Sequence, residues 1–350
     1  MHHRICLAAN FESTQLGGSW ERALQAVGAD VVRFDVSAER ARLGWLVRNR
    51  VAHRLTINSY ALRRVTTRAF NRALYDRVVS ASADVVILHN GEFVFSDTLA
   101  RIKRIGVKVV VFHADNPFPP HYNNRPETLA VARETDMYLT WSERLVGKLA
   151  FEGVPDVRFL PFAWDSAVFP YDVPPATPWE GVLFVGNWDQ RREQFLDRLA
   201  SQFPLRIYGS GYWGSRTKSR SLARQCWMGR PVTGADAAQA IRGSAICLNI
   251  LRDQHYIDGK AAGVLMRHFE VPGAGGFLLS TRSVEACRLF PEGEMADYFD
   301  DVEEALQKTA LYMNNPVLRR AVARRGHDRV AAADTYIHRM NDVLRWLDER

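Results

Sequence analysis

Residues 267–280 read RHFEVPGAGGFLLS, and this stretch indicates the type of fold. A helix carries Arg267 and Glu270, Gly275 and Gly276 end it, and the apolar run Phe277–Ser280 follows at once. A helix that leads directly into a strand buried on both faces is typical of doubly wound α/β sheets. The stretch therefore predicts an α/β domain built on a parallel sheet.

Outward from this stretch, strands and helices alternate toward both ends of the chain. Before a cluster of prolines, the predicted strands are Arg4–Ala9, Asp30–Phe34, Val85–Leu88, Lys108–Phe112, Met137–Thr140 and Val157–Leu160. After the cluster, they are Val182–Val185, Leu205–Tyr208, Ala245–Leu251 and Phe277–Ser280. Among the helices, Ser96 is expected as an N-cap, residues 259–271 as largely helical, and residues 317–350 as helical with a break near Gly326.

At 350 residues the chain exceeds what one core usually fills, so two domains are expected. The prolines between residues 161 and 178 cannot continue a helix or a central strand. We predict a Rossmann-like domain over 1–165, a Pro-rich linker over 166–179, a second Rossmann-like domain over 180–330, and a C-terminal helix over 331–350 that packs back toward the first domain. The domains are expected to face one another across a cleft, with ligands at the carboxyl ends of the strands.

The composition, 47% hydrophobic and 24% charged, is that of a globular protein, and no apolar run is long enough to cross a bilayer. The N-terminus leads directly into a strand and shows no secretory segment. The four cysteines lie far apart without a Cys-x-x-Cys pair, which favours reduced thiols. These features predict a cytoplasmic protein.

The net charge of +7 is unevenly distributed, because no acidic residue occurs between Ala41 and Tyr75. The arginines of this region are Arg42, Arg48, Arg50, Arg54, Arg63, Arg64, Arg68 and Arg72. Three interpretations stay open: solvated helices whose arginine stems cover apolar surface, a basic face for anionic lipid or a phosphorylated acceptor, and nucleic-acid binding. The last is disfavoured because no nucleic-acid-binding motif accompanies the charge.

Residues 209–214 form a literal Gly-x-Gly-x-x-Gly after a predicted strand. A dinucleotide-binding fingerprint needs a helix to begin at once and an acidic residue about 20 residues later. The polar, basic segment 215–220 is a poor start for such a helix. We therefore interpret Gly209 and Gly211 as parts of a strand-end loop near a ligand.

Glu270 and Arg267 are the strongest candidates for ligand contacts. A carboxylate next to a strand can accept two hydrogen bonds from a ribose diol, and an arginine one turn away can reach a diphosphate. The alternative is an ordinary i, i+3 ion pair on a solvated helix face.

At these residues the chain resembles the CgeB-like glycosyltransferases, which are relatives of the group-1 transferases of the GT-B superfamily. The resemblance rests on Arg267-x-Phe269-Glu270 followed by Gly275-Gly276. Further matching stretches are Val185-Gly186-Asn187 with Arg191-Arg192, Leu248-Asn249-Ile250, Phe290–Asp300, Tyr336–Met340, Gly17–Leu24, Asp84–Asn90 and Phe112–Pro117.

The resemblance implies a GT-B fold and sugar transfer from a nucleotide-sugar donor, with Glu270 at the ribose-binding position. Many group-1 retaining enzymes carry a second Glu eight positions earlier, where this chain has Ala262. The stereochemistry of those enzymes is therefore not carried over.

No Asp-x-Asp occurs in the chain, so the metal-binding pair of the other main transferase architecture is absent from the sequence. We expect a metal-independent enzyme without a cofactor, in which arginines and loop amides stabilise the leaving diphosphate. The donor site is expected to comprise Glu270, Arg267, Gly275, Gly276, Gly186, Asn187, Arg191, Arg192, Gly209, Gly211, Asn249 and Lys260.

The first half supplies the candidates for the acceptor side. Asp115 and His113 follow a predicted buried strand and are the candidate general bases, although Asp115 can equally serve to cap a turn. The remaining acceptor-side candidates are Gly17, Gly18, Trp20, Asn90 and Asn116. For these residues a structural role is about as well supported as a functional one.

Together these observations predict a cytoplasmic glycosyltransferase that uses a nucleotide diphosphate sugar. The acceptor is a cell-surface or lipid-linked saccharide, a protein or a small molecule, and region 40–77 is a candidate for peripheral contact with the inner face of a membrane. Two alternatives stay open: a nucleotide-sugar epimerase on the same fold, and a non-catalytic protein that binds anions or membranes.

Overall fold

The computed structural model describes residues 3–11, 16–42, 59–118, 126–172 and 178–349. The chain divides into two compact units. Unit 1 comprises Met1–Leu160 together with Arg339–Arg350, and unit 2 comprises Pro161–His338. The prolines of 161–172 thus group with unit 2, and the end of the chain returns to unit 1.

Unit 1 is built on a six-stranded parallel sheet with the order β2-β1-β3-β4-β5-β6. Its strands are β1 Arg4–Ala9, β2 Asp30–Asp35, β3 Val85–His89, β4 Lys108–His113, β5 Met137–Thr140 and β6 Val157–Phe159. Residues Val85–Leu88 are all buried, as their continuous apolar sequence predicts for a strand covered on both faces. The chain moves outward from β1 to β2 and then back to β3, so the strand order reverses between β1 and β3.

Helices cover the sheet of unit 1. They are α1 Leu16–Ala26, α2 Val36–Arg42, α3 Tyr60–Thr66, α4 Arg68–Ser80, α5 Ser96–Arg104, α6 Pro126–Arg133 and α7 Glu143–Phe151. The prediction that Ser96 caps a helix is wrong by one position, because Phe95 has the extended cap conformation and Ser96 is the first helical residue.

Unit 2 is built on a five-stranded parallel sheet with the order β13-β12-β9-β7-β8. Its strands are β7 Trp179–Val185, β8 Leu205–Tyr208, β9 Ser244–Asn249, β12 Leu278–Thr281 and β13 Asp297–Phe299. The order reverses between β7 and β9, as it does between β1 and β3 in unit 1. The predicted pair of Rossmann-like, doubly wound units is therefore confirmed.

The helices of unit 2 pack on both faces of its sheet. They are α8 Gln190–Ala200, α9 Tyr212–Ser215, α10 Gly234–Gly243, α11 Met266–Gly273, α12 Val284–Leu289, α13 Val302–Asn314 and α14 Pro316–Ala333. A last helix, α15 Tyr336–Asp348, begins in unit 2 and ends in unit 1. In the described part of the chain, no helix combines the length and apolar character that crossing a membrane requires.

The prediction of a helix over 259–271 is wrong for its first half. Strands β10 Tyr256–Ile257 and β11 Lys260–Ala261 pair as an antiparallel hairpin, and helix α11 begins only at Met266. Asp258 and Gly259 lie between the two strands with φ of 51° and 74°. An Asp-Gly pair is well suited to this type of two-residue hairpin turn.

The predicted break at Gly326 is also wrong, because α14 continues through that residue. A Cβ at Gly326 would lie 2.5 Å from the Met295 carbonyl oxygen and 3.2 Å from Pro272 Cβ. The glycine thus permits close packing and does not end the helix. The break comes at Asp334, whose carbonyl oxygen accepts a 2.9 Å hydrogen bond from the Trp164 amide.

Candidate functional site

A group of arginines lies at the carboxyl ends of β7 and β9, where the strand order of unit 2 reverses. Arg191 and Arg192 are in the first turn of α8, Arg252 follows β9, and Arg267 is in the first turn of α11. Asp189 caps α8 and accepts a 2.9 Å hydrogen bond from the Arg192 amide. Ligands of open α/β sheets bind at such reversal points, so this edge is the candidate site of unit 2.

Arg192 connects the two loops that form this edge. Its Nε and Nη2 donate to the Ile250 carbonyl oxygen at 3.0 and 2.6 Å, and Nη1 donates to the Asn187 carbonyl oxygen at 3.0 Å. Burial, with a smaller contribution from the nearby charges of Arg252 and Arg267, lowers the pKa of Arg192 to about 10, and Asp189 offsets part of that shift. The guanidinium therefore holds the two loops in place, and its nitrogens already donate hydrogen bonds to them.

Glu270 and Arg267 form the i, i+3 ion pair that the sequence left open, but the pair is not on a solvated face. Glu270 is 3% exposed. Arg267 also donates through Nε to the Val185 carbonyl oxygen at 3.3 Å, at the end of β7. Burial lowers the pKa of Arg267 to about 10. The structure thus holds this carboxylate and this guanidinium beside the carboxyl end of β7.

The structure brings Gly186 and Gly209 together at the ends of β7 and β8. A Cβ at Gly209 would be too close to the Gly186 carbonyl oxygen and to the Trp213 ring. The same carbonyl oxygen accepts a 2.9 Å hydrogen bond from Trp213 Nε1. Gly211 has open space around it. Because the following helix, α9, is only four residues long, the segment lacks the long helix of a dinucleotide-binding fingerprint.

Other predicted donor-site residues have evident packing roles. Gly275 has φ of +83° and ends α11, while a Cβ at Gly276 would be too close to Ile241. Asn249 Nδ2 donates to Ser280 Oγ at 2.9 Å, and that hydroxyl lies 3.1 Å from His268 Nε2. Lys260 is exposed in the β10–β11 hairpin. These residues shape the edge of the site, whereas Arg191, Arg252 and Arg267 provide its accessible charge.

Sequence reasoning missed Glu193, which fixes a loop next to the arginines. Its Oε2 accepts from Trp188 Nε1 at 2.8 Å, and its Oε1 accepts from the amides of Lys218 and Ser219 at 2.6 and 2.9 Å. Glu193 is 6% exposed. Its partners are 25 and 26 residues away in sequence, so no local pattern indicated this role.

In unit 1, the predicted residues Asn90 and His113 lie together at the ends of β3 and β4. Asn90 Oδ1 accepts a 2.7 Å hydrogen bond from the Ala114 amide. His113 is 2% exposed, and its Nδ1 lies 3.1 Å from the Asp115 carbonyl oxygen. Burial lowers the pKa of His113, and the nearby Asp115 offsets part of that shift. The imidazole is therefore neutral at pH 7, which is the form that accepts a proton.

A cavity of about 60 Å³ adjoins these residues. Asn90 and His113 line it together with Arg63 and Glu127, which form an ion pair. Asp115, the other predicted base, is not among the residues that line the cavity. Arg63 and Glu127 were not singled out as site residues in the sequence, because they come from helices far apart in the chain.

The remaining acceptor-side candidates lie mainly in packed positions. Gly17 lets the start of α1 approach the end of β1, where a Cβ would be too close to the Asn10 carbonyl oxygen, and a Cβ at Gly18 would contact Arg22. Trp20 is 1% exposed and packs against His89, with ring centroids 4.7 Å apart. Asn116 is 4% exposed, and its Oδ1 accepts from the Phe118 amide at 3.0 Å.

Within the described ranges, no group of three or more His, Cys, Asp or Glu side chains is placed to hold a metal ion. Residues 191–345 match a family model described as glycosyl transferase-like. This segment includes the arginine group and Glu270. No curated protein matches the chain.

Solved structures match nearly the whole length of the chain. Sucrose-phosphate synthase from Thermosynechococcus elongatus has a TM-score of 0.67 at 11% identity, with 99% of this chain and 100% of that chain covered. The trehalose-6-phosphate synthase OtsA has a TM-score of 0.66 at 12% identity, with 99% of each chain covered. Anabaena HepE, in complex with UDP and glucose, has a TM-score of 0.62 at 11% identity, with both chains fully covered. At such low identity these similarities establish the architecture.

Proposed function

We propose that this chain, a glycosyltransferase with the GT-B fold, moves a sugar from a nucleotide diphosphate sugar to a hydroxyl group of an acceptor. The observation that carries the proposal is the arginine group at the strand-order reversal of unit 2, with the buried Glu270 beside it. At such an edge the arginines can bind an anion, and the carboxylate can accept hydrogen bonds from a diol.

The electrostatics of this edge support a diphosphate ligand. Burial is the main cause of the lowered pKa of Arg192, and the positive charges of Arg252 and Arg267 contribute to it. Their acidic neighbours are Asp189, Asp253 and Glu270. A bound diphosphate relieves the repulsion among the arginines and provides acceptors for the planar guanidinium groups. In this proposal Arg267 and Arg191 contact the diphosphate, and Arg192 positions the loops.

Glu270 has the capacity to hold ribose while it remains bonded to Arg267. A carboxylate offers about four lone-pair sites, and the ion pair occupies only part of them. We propose that the ribose hydroxyls donate to the remaining sites. HepE is solved with UDP and with UDP-glucose, so UDP sugars are the first donors to test.

His113 is the preferred general base in this proposal. The acceptor oxygen forms a bond to the anomeric carbon and gives its proton to His113, while the bond from that carbon to the diphosphate oxygen breaks and its electron pair stays on the leaving group. Asp115 remains the second candidate. The arginine group takes up the developing negative charge, so the reaction is proposed to need no metal ion.

The decisive experiment is a donor panel of UDP, GDP, dTDP and CMP sugars, tested for binding by calorimetry and for turnover with and without added saccharides. Glycosyl transfer predicts saturable binding of one donor and product formation only with an acceptor. A changed sugar in the absence of any acceptor would identify an epimerase. Activity that is lost in EDTA and restored by Mn²⁺ would overturn the metal-independent mechanism.

The basic surface of unit 1 is proposed to contact anionic material, such as the inner face of a membrane or a phosphorylated acceptor. Arg64, Arg68, Arg72 and Arg101 line a groove with Asp76 and Asp97. Val65, in the same groove, is 74% exposed. The part of the predicted basic region between residues 43 and 58 lies outside the described residues. Salt-sensitive binding to vesicles of phosphatidylglycerol, weakened in Arg68→Glu, would support membrane contact.

We also infer a closer relationship to the CgeB-like subgroup within the group-1 transferases. It is supported by the sequence Arg267-x-Phe269-Glu270 followed by two glycines, which lies inside the matched segment 191–345. Activity measured with an acceptor of the CgeB-like enzymes would test this assignment.

A further inference from the structure

The cavity at the ends of β3 and β4 contains an unusual pair of buried charges. The side chains of Arg63 and Glu127 are 8% and 16% exposed, and they pair across the cavity wall from helices α3 and α6. A buried ion pair adds little stability compared with apolar side chains of similar size. Its position in a cavity wall therefore indicates a role beyond stability.

Glu127 has unused capacity to accept a hydrogen bond. Its Oε2 is buried and has no hydrogen-bond partner in the described part of the chain. An unsatisfied buried oxygen is unfavourable, and a hydroxyl donor would remove that cost. The charged side chains in the lining are Arg63, Glu92 and Glu127, which sum to −1, so the lining does not favour an anion.

A strained turn forms another part of the lining. Asn90, Gly91 and Phe93 have φ of 60°, 66° and 65°. A bulky residue such as phenylalanine rarely adopts a positive φ, and such strain is found preferentially at functional sites. Asn71 holds the turn, since its Nδ2 donates to the Phe93 carbonyl oxygen at 2.7 Å and its Oδ1 accepts from the Phe95 amide at 3.0 Å.

We propose that this cavity binds an uncharged, hydroxyl-bearing group of a saccharide acceptor, with Glu127 accepting a hydrogen bond from a hydroxyl and Arg63 positioning Glu127. The cavity, of about 60 Å³, is large enough to admit a hydroxyl-bearing group of a sugar. The neighbouring His113 then faces a second hydroxyl of the same sugar. This inference rests on the proposed transferase function and adds the class of acceptor.

The first test uses the unmodified protein and compares uncharged with charged ligands. Saturation-transfer NMR would measure binding of methyl glucoside, methyl galactoside and methyl mannoside, each against the corresponding sugar 6-phosphate. We expect at least one neutral glycoside to bind more tightly than its phosphorylated counterpart. Preference for the phosphate throughout the panel would overturn the proposal. The measurement needs no donor, so its failure is distinguishable from failure of the donor site.

The second test compares Glu127→Gln with Glu134→Gln, which is close in sequence but outside the cavity. With the best neutral acceptor, Glu127→Gln is expected to raise the acceptor KM about tenfold, with donor KM unchanged. Arg63→Lys should also raise the acceptor KM. Equal acceptor KM values for the two Glu variants, with both proteins folded by circular dichroism, would remove Glu127 from the acceptor site.

Discussion

Glu270 shows how far a single residue can be interpreted without coordinates. Its sequence position, three residues after Arg267 and shortly before two glycines, allows a ribose ligand or a surface ion pair. The structure contains the ion pair but buries the carboxylate, and burial depends on contacts that come from distant parts of unit 2. Sequence spacing indicates which residues can meet, but it does not show whether water reaches them.

Replacing Glu270 by Gln is expected to weaken binding of the donor nucleotide by about tenfold or more, because the amide loses the charge and two of the acceptor positions available to the ribose. Calorimetry with the best nucleotide from the donor panel provides the measurement. Glu294→Gln, an exposed change in the same unit, is the control. Equal affinities in the two variants would place the nucleotide elsewhere.

Arg191 and Arg192 are neighbours in sequence with different environments. Arg192→Lys is expected to lower the free energy of unfolding of unit 2 by about 1–3 kcal/mol, because one ammonium group cannot reproduce the bonds to Ile250 and Asn187. Arg191, whose side chain is 49% exposed, should tolerate the same change. Urea unfolding of both variants tests the difference, and equal losses would contradict the loop-holding role of Arg192.

At the scale of elements, the sequence predicted most strands because parallel strands buried on both faces leave continuous apolar runs. The errors occur where tertiary packing overrides local preference. Residues 259–265 include apolar positions that look helical, yet Asp258 and Gly259 form a hairpin turn. Gly326 looks like a helix end, yet it is the point where α14 approaches Met295 and Pro272. Neither contact is visible in the local sequence.

Gly326→Ala is expected to destabilise unit 2 by about 1–3 kcal/mol even though alanine is the better helix former, because the new methyl group meets the Met295 carbonyl oxygen. Gly147→Ala in α7 is the matched change in open space and should stabilise unit 1 by about 0.4–1 kcal/mol. Thermal unfolding of the two variants should therefore shift in opposite directions. A stabilised Gly326→Ala protein would contradict the packing explanation.

At the scale of the whole molecule, the alternation of strands and helices predicted the architecture, but it did not predict the order of the strands. Both reversal points, β1/β3 and β7/β9, depend on long-range pairing. The order matters for function, since it determines which loops meet. It brings the ends of β7 and β9 together, and with them the arginines whose sequence numbers differ by about 60 to 75.

Buried histidines make the stability of both units depend on pH. Burial lowers the pKa of His89 to about 3 and that of His268 to about 4, from an ordinary value of 6.5. Below pH 6.5 the unfolded chain therefore binds more protons than the folded protein. The free energy of unfolding keeps its full value above pH 6.5 and falls as the pH drops toward 4. For His268 the loss should reach about 3 kcal/mol.

Urea unfolding at pH 7, 6, 5 and 4.5 would measure this dependence. His89 Nε2 is buried without a partner in the described residues, so His89→Phe removes the titration without breaking a hydrogen bond at that atom. In this variant, the free energy of unfolding of unit 1 should fall less steeply as the pH drops. Stability that stays constant from pH 7 to 4.5 would contradict the neutral state of these rings.

The path of α15 determines how the protein can be divided for expression. Unit 2 is one uninterrupted segment, Pro161–His338, so a single fragment contains all of its strands. A fragment ending at Leu160 would lack the residues that pair with His3 and Lys108, namely Asp348 and Leu347. A soluble form of unit 1 should therefore need residues 339–350 joined to it by a short designed connector, and the plain 1–160 fragment should aggregate.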